Sequence, residues 1–283
     1  MAAKVLEKEQ LSENVFKLVF DAKKIAKKRK PGQFVVIRIH EEGERIPLTI
    51  ANADPEKGTV TVIFQTVGKT TTHLSGLDVG DEILDLVGPM GKPTHIEKVG
   101  TVVCIGGGVG VPCVYPIAQG MREAGNHVIA IVGARNKDLI LMEDEMKAVS
   151  DELLIATDDG SYGFHGFVSQ ALEEECIKKG KKIDHVVSVG PVPMMMAVCN
   201  TTKKYNIPTI VSLNPIMVDA TGMCGACRVS VGGKTRFVCV DGPEFDGHEV
   251  DFKQLIDRQR IYLDQEKESM DHYCSCKQGR GGK

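Results

Sequence analysis

Three cysteines in the C-terminal part of the 283-residue chain have the spacing of a metal site. Cys224 and Cys227 are separated by two residues, and Cys239 follows after eleven more. Because such sites usually have four ligands, one ligand is missing from this set. Plant-type two-iron clusters use the spacing C-x4-C-x2-C with a distant fourth cysteine. Asp219 stands where that spacing requires the first cysteine. A carboxylate is a hard oxygen donor suited to ferric iron, so Asp219 is the predicted fourth ligand of a [2Fe–2S] cluster.

Zinc is the alternative metal for these residues. It accepts cysteine and histidine together, so Cys224, Cys227, Cys239 and His248 could form a zinc site. Taken alone, these residue types leave zinc and iron–sulfur equally open. The small residues of the loop favour iron–sulfur, because they expose backbone N–H groups that can reach bridging sulfides. These small residues are Gly222, Gly225 and Ala226.

The other six cysteines have different predicted roles. Cys274 or Cys276 could supply the missing ligand, but both lie in a tail whose composition predicts disorder. The remaining four lie in apolar segments and are predicted to be small core residues. These are Cys104, Cys113, Cys176 and Cys199. An odd number of cysteines in a chain without a signal peptide does not favour a disulfide framework, so a reducing cytoplasm is the predicted location.

Glycine-rich turns after three apolar segments predict a nucleotide site. The segment "VVCIGGGVGVP" places glycines 106, 107, 108 and 110 between a buried strand and a helix, where a phosphate can approach the backbone. It departs from the dinucleotide fingerprint, since Cys113 occupies the third glycine position. "TDDGSYGFHGFV" and "VGPVPMM" follow two further strands. Ligands of open α/β sheets bind at the carboxyl ends of strands, so the three turns are expected to meet around one ligand.

Three composition regimes predict the elements that position these residues. Residues 1–97 contain short β-branched runs separated by turns, which is typical of an antiparallel β-barrel. Residues 98–215 alternate continuous apolar runs with helical segments, which predicts a doubly wound parallel sheet. Residues 216–283 are rich in Cys, Gly and Asp and end in a charged tail, and they are predicted to form a small cluster domain.

The overall composition is that of an ordinary globular protein. The chain is 42% hydrophobic and 26% charged, with 35 Lys and Arg against 38 Asp and Glu. The resulting net charge of −3 does not favour binding to nucleic acid or to an anionic membrane. No segment approaches the ~20 apolar residues that a transmembrane helix requires.

The ordered motifs resemble the ferredoxin–NADP reductase superfamily, in which a flavin-binding barrel precedes the pyridine-nucleotide domain. The family motif Arg-x-(Tyr/Pro)-(Ser/Leu)-(Ser/Thr) corresponds here to the segment Arg45–Thr49. The resemblance implies that Arg45 faces the flavin pyrophosphate and that Thr49, the predicted catalytic residue, lies near the reactive flavin N5. The predicted cofactor-binding residues are Arg45, Pro47, Leu48, Thr49, Gly68, Lys69, Thr70, Thr71, Gly107, Gly108, Gly110, Arg135, Asp158, Gly190, Pro191 and Met194.

One subfamily combines this barrel and nucleotide domain with a C-terminal two-iron cluster. It contains the electron-transfer subunits of dihydroorotate dehydrogenase and the small subunits of electron-bifurcating NADH-dependent reduced ferredoxin:NADP oxidoreductase. The first branch carries four cluster cysteines, so Asp219, together with Val189 where relatives often have cysteine, resembles the second branch more closely.

The resemblance to the second branch implies an FAD and [2Fe–2S] subunit that passes electrons between NAD(H) and a larger FAD and [4Fe–4S] subunit. The two would form a heterodimer and reach ferredoxin indirectly. Electron transfer for dihydroorotate oxidation is the alternative enzyme function. The alternative of another class is a non-catalytic binding subunit whose C-terminal region is stabilised by zinc. Arg135 could bind the 2′-phosphate of NADP, so the sequence does not decide between NAD and NADP, although the family branch favours NAD.

Overall fold

The first part of the chain forms a nearly closed antiparallel barrel. The computed structural model describes the backbone of residues 2–280 and the side chains of residues 2–275. The barrel strands are β1 (Ala3–Ser12), β2 (Val15–Asp21), β3 (Phe34–Arg38), β4 (Ile46–Asp54), β5 (Thr59–Gln65), β6 (Glu82–Ile83) and β7 (Asp85–Met90), in the order β6-β1-β2-β5-β4-β3-β7. Two short helices, α1 (Lys23–Ala26) and α2 (Lys69–Ser75), interrupt them. Alternating β-branched residues direct one face of each strand inward, where Leu18, Val35 and Val62 are fully buried.

The second part is a mainly parallel sheet. Its strands are β8 (Thr101–Gly107), β9 (His127–Ala134), β10 (Glu152–Thr157), β11 (Phe164–His165), β12 (His185–Val189) and β13 (Thr209–Ser212). The helices that cover it are α3 (Val111–Glu123), α4 (Glu143–Ala148), α5 (Val168–Ala171) with a π-helical continuation (Leu172–Ile177), and α6 (Val192–Lys204). The near-continuous apolar runs form its central strands, because helices bury both faces of a parallel sheet. The predicted sequence of a barrel followed by a parallel sheet is confirmed.

The strand order of this sheet reverses between β8 and β12. The order is β11-β10-β9-β8-β12-β13, so the chain builds outward from β8 in one direction and then returns to build in the other. Such a reversal opens a crevice beyond the carboxyl ends of the two strands. Gly107 ends β8 and Gly190 follows β12, so two of the predicted glycine turns flank that crevice.

The C-terminal part of the chain packs onto both preceding regions. It contains the hairpin β14 (Arg228–Val231) and β15 (Lys234–Phe237), then α7 (Val238–Asp241), β16 (Glu244–Asp246), α8 (Phe252–Gln259) and α9 (Leu263–Arg280). Strand β16 pairs antiparallel with β13 and so joins the edge of the parallel sheet. The segment predicted as a disordered tail is helical through Arg280. Within the described residues, no helix is both long enough and apolar enough to cross a membrane.

One apolar cluster unites the three regions. Phe34 and Val36 from β3 pack in the same buried cluster as Met195 of α6 and the cysteines Cys227 and Cys239. Polar contacts reinforce this junction, because Lys92 N–H donates to the Gly242 carbonyl at 2.6 Å. The predicted domain limits at 97 and 215 stay predictions.

Glu244 holds a carboxyl group at the same junction. Its Oε1 accepts a hydrogen bond of 2.5 Å from the Thr94 hydroxyl. Burial raises the pKa of Glu244 to about 7, and the Thr94 bond offsets this only in part. The same carboxylate adds to the effect of burial in raising the pKa of the Cys104 thiol to about 12.

We predict that Glu244→Gln flattens the pH dependence of stability. A carboxyl whose pKa rises on folding from 4.5 to about 7 contributes stability at low pH and loses it as the pH rises through 7. Glutamine keeps the acceptor for Thr94 without the charge, so at pH 8 the variant should be more stable by roughly 1–3 kcal/mol. Urea denaturation between pH 4.5 and 8 measures this. Glu249→Gln is the control, since Glu249 is exposed. Parallel pH profiles for Glu244→Gln and the unmodified chain would contradict the prediction.

Candidate functional site

The glycine turns at the crevice are packed against each other. A Cβ on Gly110 would lie 2.1 Å from the Val189 carbonyl oxygen, and one on Gly107 would lie 2.3 Å from Met194 Sδ. Only glycine permits this approach of α3 to β12. Gly108 has a φ of +52° and no atom within 4 Å of its hypothetical Cβ. The crevice therefore has a floor of close-packed backbone, with open space at Gly108. This arrangement suits an extended dinucleotide.

A second pair of loops extends the crevice along the same edge of the sheet. Asp158 N–H donates to the Ala134 carbonyl at 3.1 Å, and Asp159 N–H donates to the Arg135 carbonyl at 3.2 Å. Hydrogen bonds from Ser161 close the turn and lower the pKa of Asp159. The predicted residues Arg135 and Asp158 are thus brought together on adjacent exposed loops.

Arg45 has the environment of an anion-binding residue. It lies just before β4 and is half-buried, and its Nε is buried without a hydrogen-bond partner in the described part of the chain. Its Nη2 lies 3.5 Å from the Asp219 carbonyl oxygen. An unsatisfied buried guanidinium N–H is costly, and a phosphate oxygen would satisfy it. The residue therefore fits the flavin pyrophosphate predicted for it.

The loop at the start of α2 uses its hydroxyl groups internally. Thr71 Oγ1 accepts hydrogen bonds from Val67 N–H and Gly68 N–H, at 3.0 and 3.1 Å. Thr70 Oγ1 donates to the Glu44 carboxylate. Both side chains therefore shape the loop, and the contact of Lys69 with a flavin phosphate stays a prediction.

Thr49 meets a cysteine that sequence analysis assigned to the core. Its hydroxyl lies close enough to the Cys113 sulfur, on α3 across the contact between barrel and sheet, to lower the pKa of that thiol. The thiol itself donates to the Val109 carbonyl at 3.4 Å. Burial raises the pKa of Cys113, so the group is a neutral thiol near pH 7. The signal that could have found this pair is the position of Cys113, since it replaces a fingerprint glycine at the predicted cofactor crevice.

Cys224 and Cys227 lie on one loop, residues 219–227, which we call the cluster loop, and Cys239 of α7 packs against it. The sulfurs of Cys227 and Cys239 are 3.2 Å apart and buried, whereas Cys224 is exposed. The backbone amides of Ala226 and Asp219 near the Cys224 sulfur lower its pKa. Cys239 N–H donates to the Cys227 sulfur at 3.5 Å, and burial raises the pKa of Cys239 to about 12. Amide donors around thiolates are the environment in which iron–sulfur clusters are held.

Asp219 lies beside these sulfurs, but its carboxylate has another contact. Asp219 Oδ2 accepts from Thr221 N–H at 3.2 Å and from the Thr221 hydroxyl, as a turn-capping aspartate does. Its role as the fourth ligand stays a prediction.

The alternative ligands are placed elsewhere. Among the described residues, no three His, Cys, Asp or Glu side chains form a set for a single metal ion. A two-iron cluster divides its four ligands between two metals. His248 Nε2 is 2.9 Å from the Thr202 hydroxyl in the sheet region. Cys274 is exposed on α9, which packs on α2, and Cys276 falls outside the described side chains.

Three family models match successive parts of the chain. The oxidoreductase FAD-binding domain matches residues 2–95, and the oxidoreductase NAD-binding domain matches residues 104–200. The iron–sulfur cluster binding domain of dihydroorotate dehydrogenase B matches residues 214–251. The chain thus carries domains for FAD, for NAD(H) and for an iron–sulfur cluster, and iron–sulfur prevails over zinc.

Individual relatives match almost the whole length. A Thermotoga maritima homologue of the dihydroorotate dehydrogenase B (NAD⁺) electron transfer subunit is 48% identical, over 95% of this chain and 94% of the relative. The electron transfer subunit from Fusobacterium nucleatum is 32% identical, over 88% and 97%. A chain from the structure of an NADH-dependent reduced ferredoxin–NADP oxidoreductase, solved to study flavin-based electron bifurcation, superposes with a TM-score of 0.91. It is 47% identical, over 96% of this chain and 98% of that one.

We predict that Arg45→Ala lowers the FAD content of the purified protein. The variant removes a charge-assisted contact worth roughly 1.5–3 kcal/mol, so FAD should bind about ten- to a hundredfold more weakly. Flavin absorbance and FAD titration measure the change. Arg236→Ala, at an exposed position on β15, is the control. Full FAD retention in Arg45→Ala would show that the flavin phosphates lie elsewhere.

We also predict that Asp219 variants separate a ligand from a turn cap. If the carboxylate binds iron, Asp219→Cys should keep a two-iron cluster with altered EPR g-values, and Asp219→Ala should lose iron readily. If it only caps the turn, Asp219→Asn should be nearly silent. Thr221→Val is the control, because it removes the hydroxyl bond and keeps the carboxylate. Native EPR spectra and iron content in all three Asp219 variants would place the fourth ligand elsewhere.

Proposed function

The chain belongs to the family of dihydroorotate dehydrogenase B electron transfer subunits and their homologues, and from that premise we propose that it is the small subunit of an electron-bifurcating NADH-dependent ferredoxin:NADP oxidoreductase. In this role it passes electrons between NAD(H) and a larger flavin and iron–sulfur subunit by way of FAD and a [2Fe–2S] cluster. The chain's 47% identity to a chain of such an enzyme, at a TM-score of 0.91, supports this choice. Asp219 in place of a cluster cysteine supports it further.

The observation that carries the proposal is the bond between Arg45 and the Asp219 carbonyl. It joins the residue proposed for the flavin pyrophosphate to the cluster loop across 3.5 Å. FAD, when bound, converts the two-electron chemistry of nicotinamide into the one-electron chemistry of a cluster. The contact supports that order of cofactors, because it joins a proposed flavin residue of the barrel to the cluster loop.

The chain's own residues have defined tasks in this scheme. The crevice between β8 and β12 would bind the dinucleotide along its glycine turns. Arg45 and Lys69 would hold the flavin phosphates. The Thr49 hydroxyl faces the Cys113 sulfur at the contact of barrel and sheet, where the nicotinamide and flavin rings would meet.

Exposed apolar side chains next to the cluster loop support a protein partner on that side. Met223 is 89% exposed, Val218 is 55% exposed, and Val240 is 39% exposed and packs near Gly222. The partner proposed here carries its own FAD and [4Fe–4S] clusters, forms a heterodimer with this chain and connects it with ferredoxin. The second candidate function, electron transfer for dihydroorotate oxidation, is favoured by the cluster-domain family and by the 32% identical relative.

We predict that the isolated chain reduces artificial dyes with NADH but does not reduce NADP with ferredoxin. The reason is that the described residues present one nucleotide crevice, already assigned to NAD(H), so NADP needs a site on the partner. Steady-state assays on the isolated chain and on the native complex measure both activities. NADP reduction by the isolated chain would remove the need for a partner, and dihydroorotate oxidation by the native complex would select the second function.

A matched pair of variants locates the partner contact. Met223→Asp should release the larger subunit during co-purification, because it places a charge in the apolar patch beside the cluster loop. Val79→Asp, on the barrel surface where Val79 is 62% exposed, should leave the complex intact.

A further inference from the structure

Three arginines surround the cluster loop and donate to its backbone carbonyl groups. They come from three different parts of the fold: the barrel, the β14 hairpin and helix α8. The bonds join Arg45 Nη2 to the Asp219 oxygen at 3.5 Å, Arg228 Nη1 to the Gly225 oxygen at 3.2 Å, and Arg258 Nη2 to the Ala226 oxygen at 3.0 Å. The convergence of three guanidinium groups on carbonyls of one loop is unlike a solvated basic surface.

The orientation of the peptide groups explains what these bonds accomplish. In a planar trans peptide the C=O and the N–H point in opposite directions. At the peptide between Gly225 and Ala226 the oxygen accepts from Arg228 Nη1, so the Ala226 N–H points away from that guanidinium. A cation that holds the oxygen outward therefore holds the N–H inward, on the side of the sulfurs.

Arg258 Nη2 holds the oxygen of the next peptide, between Ala226 and Cys227, at 3.0 Å, and so turns the Cys227 N–H away from Arg258. Its helix is firmly placed, since Leu255 is fully buried and the Asp251 side chain caps the first turn by accepting from Gln254 N–H at 2.9 Å. The Arg258 side chain is half-buried, and its Nε has no partner among the described residues. The guanidinium therefore holds its place through its bond to Ala226. Arg228 is exposed, and Arg45 is already proposed for the flavin, which leaves Arg258 as the arginine dedicated to the loop.

We propose that Arg258 is a positioning residue for the iron–sulfur cluster, fixing the Ala226–Cys227 peptide and favouring the reduced form of the cluster. The inference rests on the proposed function, in which the loop holds a [2Fe–2S] cluster. Reduction adds one electron, and so one negative charge, to the cluster. A nearby fixed cation and inward amide donors stabilise the more negative state, since net charge and hydrogen bonds to sulfur set cluster potentials.

The test is a redox titration followed by EPR, on the complete chain with its cluster. Arg258→Gln should lower the ratio of reduced to oxidised cluster at a fixed potential about tenfold, which is ~59 mV for a one-electron couple. Arg258→Lys keeps the charge without the planar fork and should give a smaller shift. Arg260→Gln, two residues away and exposed, is the control and should give none. If the cluster has the same midpoint potential in Arg258→Gln as in Arg260→Gln, the proposal is wrong.

Hydrogen exchange of the apoprotein decides the matter if Arg258→Gln does not retain iron. The amides of residues 224–227 should exchange faster in Arg258→Gln than in Arg260→Gln, while the protection of β8 and β9 is unchanged. Equal protection of the loop in the two variants would overturn the proposal. The failure of the proposed function has a different signature: the native complex would oxidise dihydroorotate, or the unmodified chain would show no iron–sulfur absorption, and neither outcome depends on Arg258.

Discussion

The packing of β3 against the cluster cysteines is the contact on which the rest of the structure depends. Phe34 and Val36 share one buried cluster with Cys227 and Cys239, so the barrel and the cluster loop have a common core. Electron transfer between a flavin and a metal cluster requires the two to be held close together. In the proposed function ordinary apolar packing would supply that closeness, and the polar contacts of Arg45 with Asp219 and of Glu244 with Thr94 add to the same junction.

The same junction explains why charged groups are tolerated in a largely apolar setting. Arg45, Arg258 and Glu244 each leave part of their hydrogen-bonding capacity unused or use it on a neutral partner. Buried groups of this kind are costly to the folded state. The two arginines that carry this energetic cost lie beside the proposed anionic cofactors, where their positive charge would attract the phosphates and the cluster.

Much of this architecture was predictable from local sequence patterns, and the parts that were not share one physical reason. β-branched runs predicted the barrel, continuous apolar runs predicted the parallel strands, and cysteine spacing predicted the cluster loop. Strand β16 has only three residues, next to Gly242 and Pro243, and exists because it pairs with β13. The contact of Thr49 with Cys113 and that of Arg258 with Ala226 likewise join residues far apart in the chain. No periodicity encodes such pairs, so only the folded structure reveals them.

Strand β16 also has a consequence for biosynthesis. The edge of the parallel sheet at β13 cannot be completed until residues 244–246 have left the ribosome, and by then the whole cluster loop has emerged as well. Until that moment the nascent chain exposes an unpaired sheet edge, a known template for aggregation. Since the cluster loop and Cys239 precede β16 in the chain, all three cluster cysteines have been synthesised by the time that edge can close.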